Sequence, residues 1–479
     1  MSLNMIAGHF DTSQKALQIN LDPGKYGTFA EIGAGQETVR WFFKVGGAAG
    51  TVAKSMSAYD MTFSDAIYGP APRYVCRERL KTMLNHEFEL LEQRLGPKKA
   101  DTTQFFVFAN TVATTSYRRK NDGHGWLGVR FQTKPQSEPS QILLHTWAWQ
   151  RNAEVQQHLF GVLGVNLIHA AFYFWQEPER LIDRLYDNLT KSDVEVDYLA
   201  FEGPAFQQNN PIRIGLRLVA EEATNAVIIR PDGSVVMPAD HLYKKPVLVQ
   251  RARCQPITLA HIDIQRCALS RFRQEHPDKN TDIVSLFELP LQSIQRDDEG
   301  NILEEDFMQR VAIARATGTD LLFSNYSRYF RLSGFLRRYT REPLAFAMGI
   351  GQLSELLDPA SHTSLEGGML EALGRLLQAS VTLYIYPTTR SSGEILTARN
   401  FRTSAGAQSL YQYLLDNNHV VALENADPAY MKIHTDEVLD LLQNGDPRWQ
   451  KLVPQEIAEI ITENHFFGWG KVRIPPLRK

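Results

Sequence analysis

"TDLLFSNYSRYFRLSGFLRRYTREPLAFAMGIG", residues 319–351, decides the fold. TDLLFSNY is an apolar run of strand length, RYFRLSGFLRRYTR reads as a helix, and PLAFAMGIG is a second strand ending in glycines. The same alternation continues downstream. GGMLEALGRLLQA is helical, VTLYIYPT a strand, QSLYQYLLDNN a helix and VVAL a strand, while EEDFMQRVAIARATG supplies a helix upstream. Strands alternating with helices of this length predict βαβ units and a parallel sheet covered on both faces.

Upstream the texture differs. TQFFVFANTVATT, GWLGVRFQT and QILLHTWAWQ are strands separated by polar turns, which predicts an antiparallel meander. Helices are expected near 154–175 and at PERLIDRLYDNL. VDYLAFEG, IRIGLRLVAE, NAVIIRPDGSVVM (a hairpin at Asp232-Gly233), PVLVQRAR and DIVSLFELPL then read as further strands. Nearer the start, FAEI is a strand, Val39, Phe42 and Phe43 fall at helical spacing before a Gly46-Gly47 stop, and residues 77–97 form a helix closed by Gly96-Pro97. The expected fold class is a mixed α/β chain with a β-rich, antiparallel middle and a doubly wound, mostly parallel C-terminal region. The expected divisions are 1–100, an N-terminal α/β segment with a glycine-rich loop; 101–295, the β-rich region; 296–425, the doubly wound region; and 426–479, a helical extension.

The chain has 479 residues, 43% hydrophobic and 22% charged, with a net charge of −3, so several soluble domains are expected and no nucleic-acid partner. Cys76, Cys254 and Cys267 are too few and too scattered for a disulfide frame or a zinc site. MSLNMIAGHFDTSQKALQIN lacks the pattern of a signal peptide, which with the cysteines places the expected chain in the cytoplasm. LFGVLGVNLIHAAFYFW, 159–175, is interrupted by Asn166 and His169 and falls short of the ~20 residues of a spanning helix. It reads as a core helix, and no membrane partner is expected.

Three glycine-loop chemistries meet in residues 29–60. A dinucleotide loop would use Gly33 and Gly35, but Thr38 holds the third glycine position. A methyltransferase loop would use Glu31, Gly33 and Gly35 with Asp60 on the ribose hydroxyls, but Glu37 replaces its last glycine. A phosphate loop would end in Lys54-Ser55, but Ala53 and Ala48 stand where glycines belong. The plain alternative is a tight strand-to-helix turn followed by a Gly-Gly cap. Gly8, Phe10 and Asp11 are similar to the beginning of the nucleotidyltransferase signature G-x-F-D-P-x-H-x-G-H, with Gln14 and Leu17 in place of its two histidines.

In open α/β sheets ligands bind outside the carboxyl ends of the strands. Those ends carry Ser324-Asn325-Tyr326, Gly349-Ile350-Gly351 and Pro387-Thr388-Thr389-Arg390, beside Arg328, Arg331, Arg337, Arg338 and Arg341. The arginines suit a phosphate or carboxylate, or else ion pairs with Glu342 and Glu355 at a subunit contact. The histidines have no metal-ligand spacing, and no metal site is expected.

FAEIGAGQE, SAYDMTFSDAIYG, FLRRYTRE and LEGG resemble a family of bacterial proteins of about this length. Its members are uncharacterised and are sometimes labelled nicotinamide- or nicotinate-nucleotide adenylyltransferase, or TonB-dependent receptor. The resemblance runs over most of the chain and implies no catalytic residue. The expected function is binding of a phosphorylated, nucleotide-like small molecule, with transferase chemistry as its extension. Contacts are expected from Gly33, Gly35, Asp60, Asn325, Arg328, Gly349, Gly351, Thr389 and Arg390. A homo-oligomer is expected. A non-catalytic homo-oligomeric assembly protein is the alternative, and an S-adenosylmethionine-dependent methyltransferase the third reading. No cofactor is named by the sequence.

Overall fold

A computed structural model describes residues 10–470 apart from 72, 117–121, 280–281, 379 and 405. The chain divides into two compact units, residues 1–225 and 226–479.

In the first unit, α1 (Thr12–Asn20), β1 (Lys25–Gly33), α2 (Thr38–Val45), β2 (Val52–Ala58), α3 (Met61–Tyr68) and α4 (Arg77–Lys99) precede the strands β3 (Gln104–Ala113), β4 (Gly123–Phe131) and β5 (Ser140–Ala148). α5 (Ala153–Tyr173), α6 (Pro178–Leu185), β6 (Val194–Glu202) and α7 (Pro211–Ala220) complete it. The strands form one sheet in the order β2-β1-β3-β4-β5-β6. β1 is parallel to β2 and β3, and from β3 to β6 each pairing is antiparallel. The expected meander is present, but the expected division at 100/101 separates two strands, β1 and β3, that pair from Lys25↔Gln104 to Gly33↔Val112.

The apolar stretch 159–175 falls largely within α5, a core helix. Leu159, Phe160, Leu163, Leu167 and Ile168 pack into the main core, each contributing about 1.5–3 kcal/mol by burial. Of its polar interruptions, Asn166 is hydrogen-bonded on both amide atoms, while His169 bonds Gln18 Oε1 through Nε2 (3.0 Å) and leaves Nδ1 without a partner among the described residues. The Asn166 amide donates to the carbonyls of Leu185 and Asp187 (2.9 and 2.7 Å) and accepts from Lys15 Nζ (2.8 Å). Gly161 and Gly164 are required by close approach, since a Cβ there would lie 2.6 Å from Glu37 Cβ and 2.3 Å from Thr38 Oγ1 at the start of α2. Among the described residues, no helix is long and apolar enough to cross a membrane.

Two expectations are corrected in this unit. IRIGLRLVAE is not a strand but most of α7: Pro211 opens the helix at its first position, and Asn210 Oδ1 accepts from the Ile212 amide (2.9 Å). α4 does not stop at Gly96-Pro97 but continues to Lys99, with Pro97 inside its last turn.

The second unit opens with the hairpin β7 (Ala226–Ile229) and β8 (Val235–Val236), then the short α8 (Pro238–His241). Next come β9 (Val247–Arg251), α9 (Leu259–Glu275), β10 (Val284–Pro290), α10 (Glu304–Ala316), β11 (Asp320–Ser324) and α11 (Tyr329–Tyr339). β12 (Leu344–Gly349), α12 (Ile350–Leu356), α13 (Gly368–Leu376) and β13 (Val381–Tyr386) follow. After the small hairpin β14 (Thr388–Thr389) and β15 (Ile395–Leu396) stand α14 (Gln408–Asp416), β16 (Val420–Ala422), α15 (Thr435–Gln443) and α16 (Gln455–Asn464).

The sheet order is β16-β13-β12-β9-β10-β11-β7-β8. β9, β10, β11, β12, β13 and β16 are parallel, and β7 runs antiparallel on β11. The chain starts in the centre at β9, steps outward through β10 and β11, then crosses back to β12 and steps outward the other way. This is the doubly wound order 3-2-1-4-5-6, whose switch point lies between the first and fourth strands. The fold class is therefore α/β with both sheet types. The middle region is not uniformly antiparallel, because PVLVQRAR and DIVSLFELPL supply β9 and β10, the two parallel strands from which the second sheet is built.

Candidate functional site

The glycine loop of the first unit is closed by the protein itself. Gly33 has φ +74° and a Cβ there would lie 2.4 Å from the Val112 carbonyl oxygen. At Gly35 a Cβ would meet Asn110 Oδ1 at 2.3 Å. Both glycines are thus accounted for by packing. The amides of Thr38 and Val39, at the start of α2, donate to Glu31 Oε1 and Oε2 (3.1 and 3.3 Å), and Asn110 Nδ2 donates to Glu31 Oε1 (3.1 Å) and to the Gly35 carbonyl (2.8 Å). A buried carboxylate therefore occupies the helix start where a dinucleotide loop would hold a phosphate. Burial pushes Glu31 up to about 7 against the lowering effect of those bonds.

The other first-unit candidates are also structural. Asp60 follows β2 and caps α3 by accepting from the Phe63 amide (2.9 Å). Lys54 and Ser55 lie inside β2, where Lys54 pairs with the buried Glu87 of α4, which also accepts from Tyr68 Oη (2.8 Å). Asp11 and Gln14 form the capping box of α1 (2.7 and 2.9 Å), while Gly8 lies outside the described residues.

In the second unit a cavity of about 670 Å³ opens at the carboxyl ends of β9, β12 and β13, at the switch point of the sheet. Its walls are the β9 end (Gln250 to Arg253), the first turn of α9, residues Gly349 to Gln352, Tyr386 to Thr388, and the start of α15. Gly349 and Gly351 have no atom within 4 Å of where a Cβ would stand, so here the glycines do face open space.

Three hydrogen-bonded networks hold the walls. Arg251 Nε donates to Glu288 Oε2 (2.5 Å), its Nη1 and Nη2 donate to the carbonyls of Ser327 and Tyr326 (2.8 and 2.7 Å), and Ser324 Oγ donates to Glu288 Oε1 (2.7 Å). This joins the ends of β9, β10 and β11. Arg310 of α10 is buried, bonded to Asp306 Oδ2 (2.9 Å), the Arg253 carbonyl and Gln255 Oε1 (both 2.6 Å), and so fixes the loop between β9 and α9. On the far wall, Tyr386 Oη donates to Asp263 Oδ2 (2.6 Å), which also accepts from the Asp427 amide (2.9 Å).

Among the polar side chains that line the cavity are Arg253, His261, His434 and Gln250, together with the acidic Glu355 and Asp436. Arg253 is half exposed and pairs with Asp436 on the opposite wall. His261 Nδ1 accepts from the Thr258 amide (3.1 Å), so its proton sits on Nε2. Burial, aided by Arg253, pushes the imidazole down to about 4, leaving a neutral donor at pH 7. Gln250 is 2% exposed, and neither of its amide atoms has a partner among the described residues.

Of the expected site residues, Gly349 and Gly351 line this cavity. Arg328 starts α11 and lines a smaller cavity of about 70 Å³ that shares Arg251, Gln352 and Glu355 with it. Asn325 Oδ1 accepts from Gln292 Nε2 (2.8 Å). Thr389 and Arg390 belong to the β14–β15 hairpin, where Arg390 pairs with Glu394 (3.1 Å) and both are more than half exposed; Thr388, one residue earlier, reaches the cavity instead. Arg337 donates to the Glu342 carbonyl (2.5 Å), and Arg338 lies on the rings of Phe335 and Tyr339. Gln250 and Arg253 went unread because β9 was assigned to the antiparallel middle; its polar ending Gln-Arg-Ala-Arg was the available signal. His261 reads in sequence only as a histidine without metal-ligand spacing, and His434, before α15, carries no signal there.

No family model matches the chain, and no curated protein matches it. Among solved structures, a competence/damage inducible protein from Agrobacterium tumefaciens is 16% identical over 34% of this chain and 93% of its own, with a TM-score of 0.22. A competence-damaged protein (CinA) superfamily protein from Enterobacter cloacae is 12% identical over 36% and 98%, with a TM-score of 0.24. Plasmodium falciparum nicotinic acid mononucleotide adenylyltransferase is 12% identical over 47% and 97%, with a TM-score of 0.29. Likenesses this loose carry no weight for activity.

Proposed function

We propose that the second unit binds a phosphorylated, nucleotide-like small molecule in the switch-point cavity. The observation that carries this reading is the position and size of the cavity. It lies outside the carboxyl ends of the strands where a doubly wound sheet reverses direction, and it falls within the roughly 300–1,000 Å³ range of ligand sites. Gly349 and Gly351 leave the backbone open to close approach, Arg253 can exchange Asp436 for a phosphate, and neutral His261 donates through Nε2. Transfer chemistry would draw on the same two groups to stabilise charge on a phosphate.

Gly349→Val and Gly351→Val test it. A Cβ at either position meets no atom within 4 Å, so both variants should fold while filling the cavity, with Gly349→Val lowering stability by about 1 kcal/mol because valine caps a helix less well than glycine. Calorimetry with adenosine 5′-monophosphate should show saturable binding to the parent and at least tenfold weaker binding to the variants. Equal affinity in all three proteins would remove the cavity from consideration.

A further inference from the structure

Gln250 is the last inward-facing position of β9. Strand alternation places it on the same face as Leu248, which packs against Cys267 and Ala268 of α9, and it contributes to the cavity wall just where the apolar layer ends. More than nine in ten buried polar groups are hydrogen-bonded. Here one side chain leaves both a donor and an acceptor without a partner among the described residues, beside the cavity of about 670 Å³. Neither amide atom is exposed, so reaching the cavity requires a change of rotamer at χ1 or χ2, with the terminal torsion then setting which amide atom faces which partner.

Resting on the nucleotide-binding reading above, we infer that Gln250 recognises the base of that ligand, and that the base carries an N–H donor next to a ring-nitrogen acceptor, as adenine does. A glutamine amide matches such an edge with two parallel hydrogen bonds, its oxygen accepting from the exocyclic amino group and its nitrogen donating to the ring nitrogen. The surroundings agree. Gln250 lies on the enclosed, apolar side of the cavity with Ile264 and Tyr386, whose hydroxyl is occupied by Asp263, whereas the cationic Arg253 lies toward the mouth and is half exposed. A base therefore goes inward and a phosphate outward.

The test is calorimetry on the full chain with three probes. These are adenosine 5′-monophosphate, purine riboside 5′-monophosphate (the same ring and phosphate without the amino group) and ribose 5-phosphate. The expected result is at least tenfold tighter binding of the adenosine compound than of purine riboside monophosphate. Gln250→Met, which keeps length and removes both bonds, should erase that difference while retaining the weaker binding common to all three. Equal affinity of the parent for all three probes would overturn the inference and leave the cavity reading standing. Binding of none would end both. Should Gln250→Met not fold, Gln250→Leu takes its place with the same expected loss of discrimination, and a folded variant that keeps the tenfold preference for the adenosine compound would overturn the assignment to Gln250.

Discussion

Glu31 shows how one residue can look like part of a ligand site and be its replacement. Its folded value of about 7 lies above its ordinary 4.5, so the native state holds a proton that the unfolded chain releases earlier. The contribution of Glu31 to stability is then fully present below pH 4.5 and is lost as pH rises through 7, by about 3 kcal/mol for a shift of this size. Glu31→Gln should flatten this part of the pH profile, checked by denaturant midpoints of the first unit at pH 5 and pH 8. A parent profile that rises across the same interval would contradict the assignment. The sequence could not distinguish the two roles of a glycine here. Gly33 and Gly35 are spaced for a phosphate and equally for Val112 and Asn110, whereas Gly349 and Gly351 look no different in sequence and face open space. A glycine records that something comes close, not what.

At the scale of elements, continuous apolar runs such as LAFAM and VTLYIY were readable as buried parallel strands, because both faces of such a sheet are covered by helices. α7 was not, since Ile212, Ile214, Leu216 and Leu218 alternate as a strand would, and the deciding signals were Pro211 and the Asn210 cap. The loop between β9 and α9 illustrates another limit: it is shaped by Arg310, more than fifty residues away in sequence. Arg310→Met should cost about 3–5 kcal/mol, because Asp306 keeps only the Gln295 amide and loses its cation while the Arg253 carbonyl and Gln255 Oε1 lose this donor. Amide exchange in residues 252–258 should accelerate more than in α15, and a uniform change across the unit would argue against a local strut. The arginines of α11 belong to the same lesson. Arg337 and Arg338 find carbonyl and ring partners within their own chain, which sequence spacing does not disclose.

For the whole molecule, the division at 225/226 differs from the boundaries suggested by composition because sheets, not texture, define the units. Strands from both sides of residue 100 share one sheet, and strands from both sides of residue 295 share the other. Each unit closes its own sheet, so residues 226–479 expressed alone should fold cooperatively and keep the affinity of the full chain for adenosine 5′-monophosphate within about threefold. An unfolded or non-binding fragment would show that the cavity needs the first unit. The winding order also has a consequence for synthesis. β9 is made first among the parallel strands and ends at the centre, yet its neighbour β12 emerges only after β10, α10, β11 and α11, and the start of α15 later still. During that interval one edge of the future central strand has no partner, the condition under which nascent sheets pair with the wrong chain. The switch-point cavity, walled by β9 and by the start of α15, is completed only after α15 has emerged, so a ligand held there could not assist the chain through its earlier, more exposed stage.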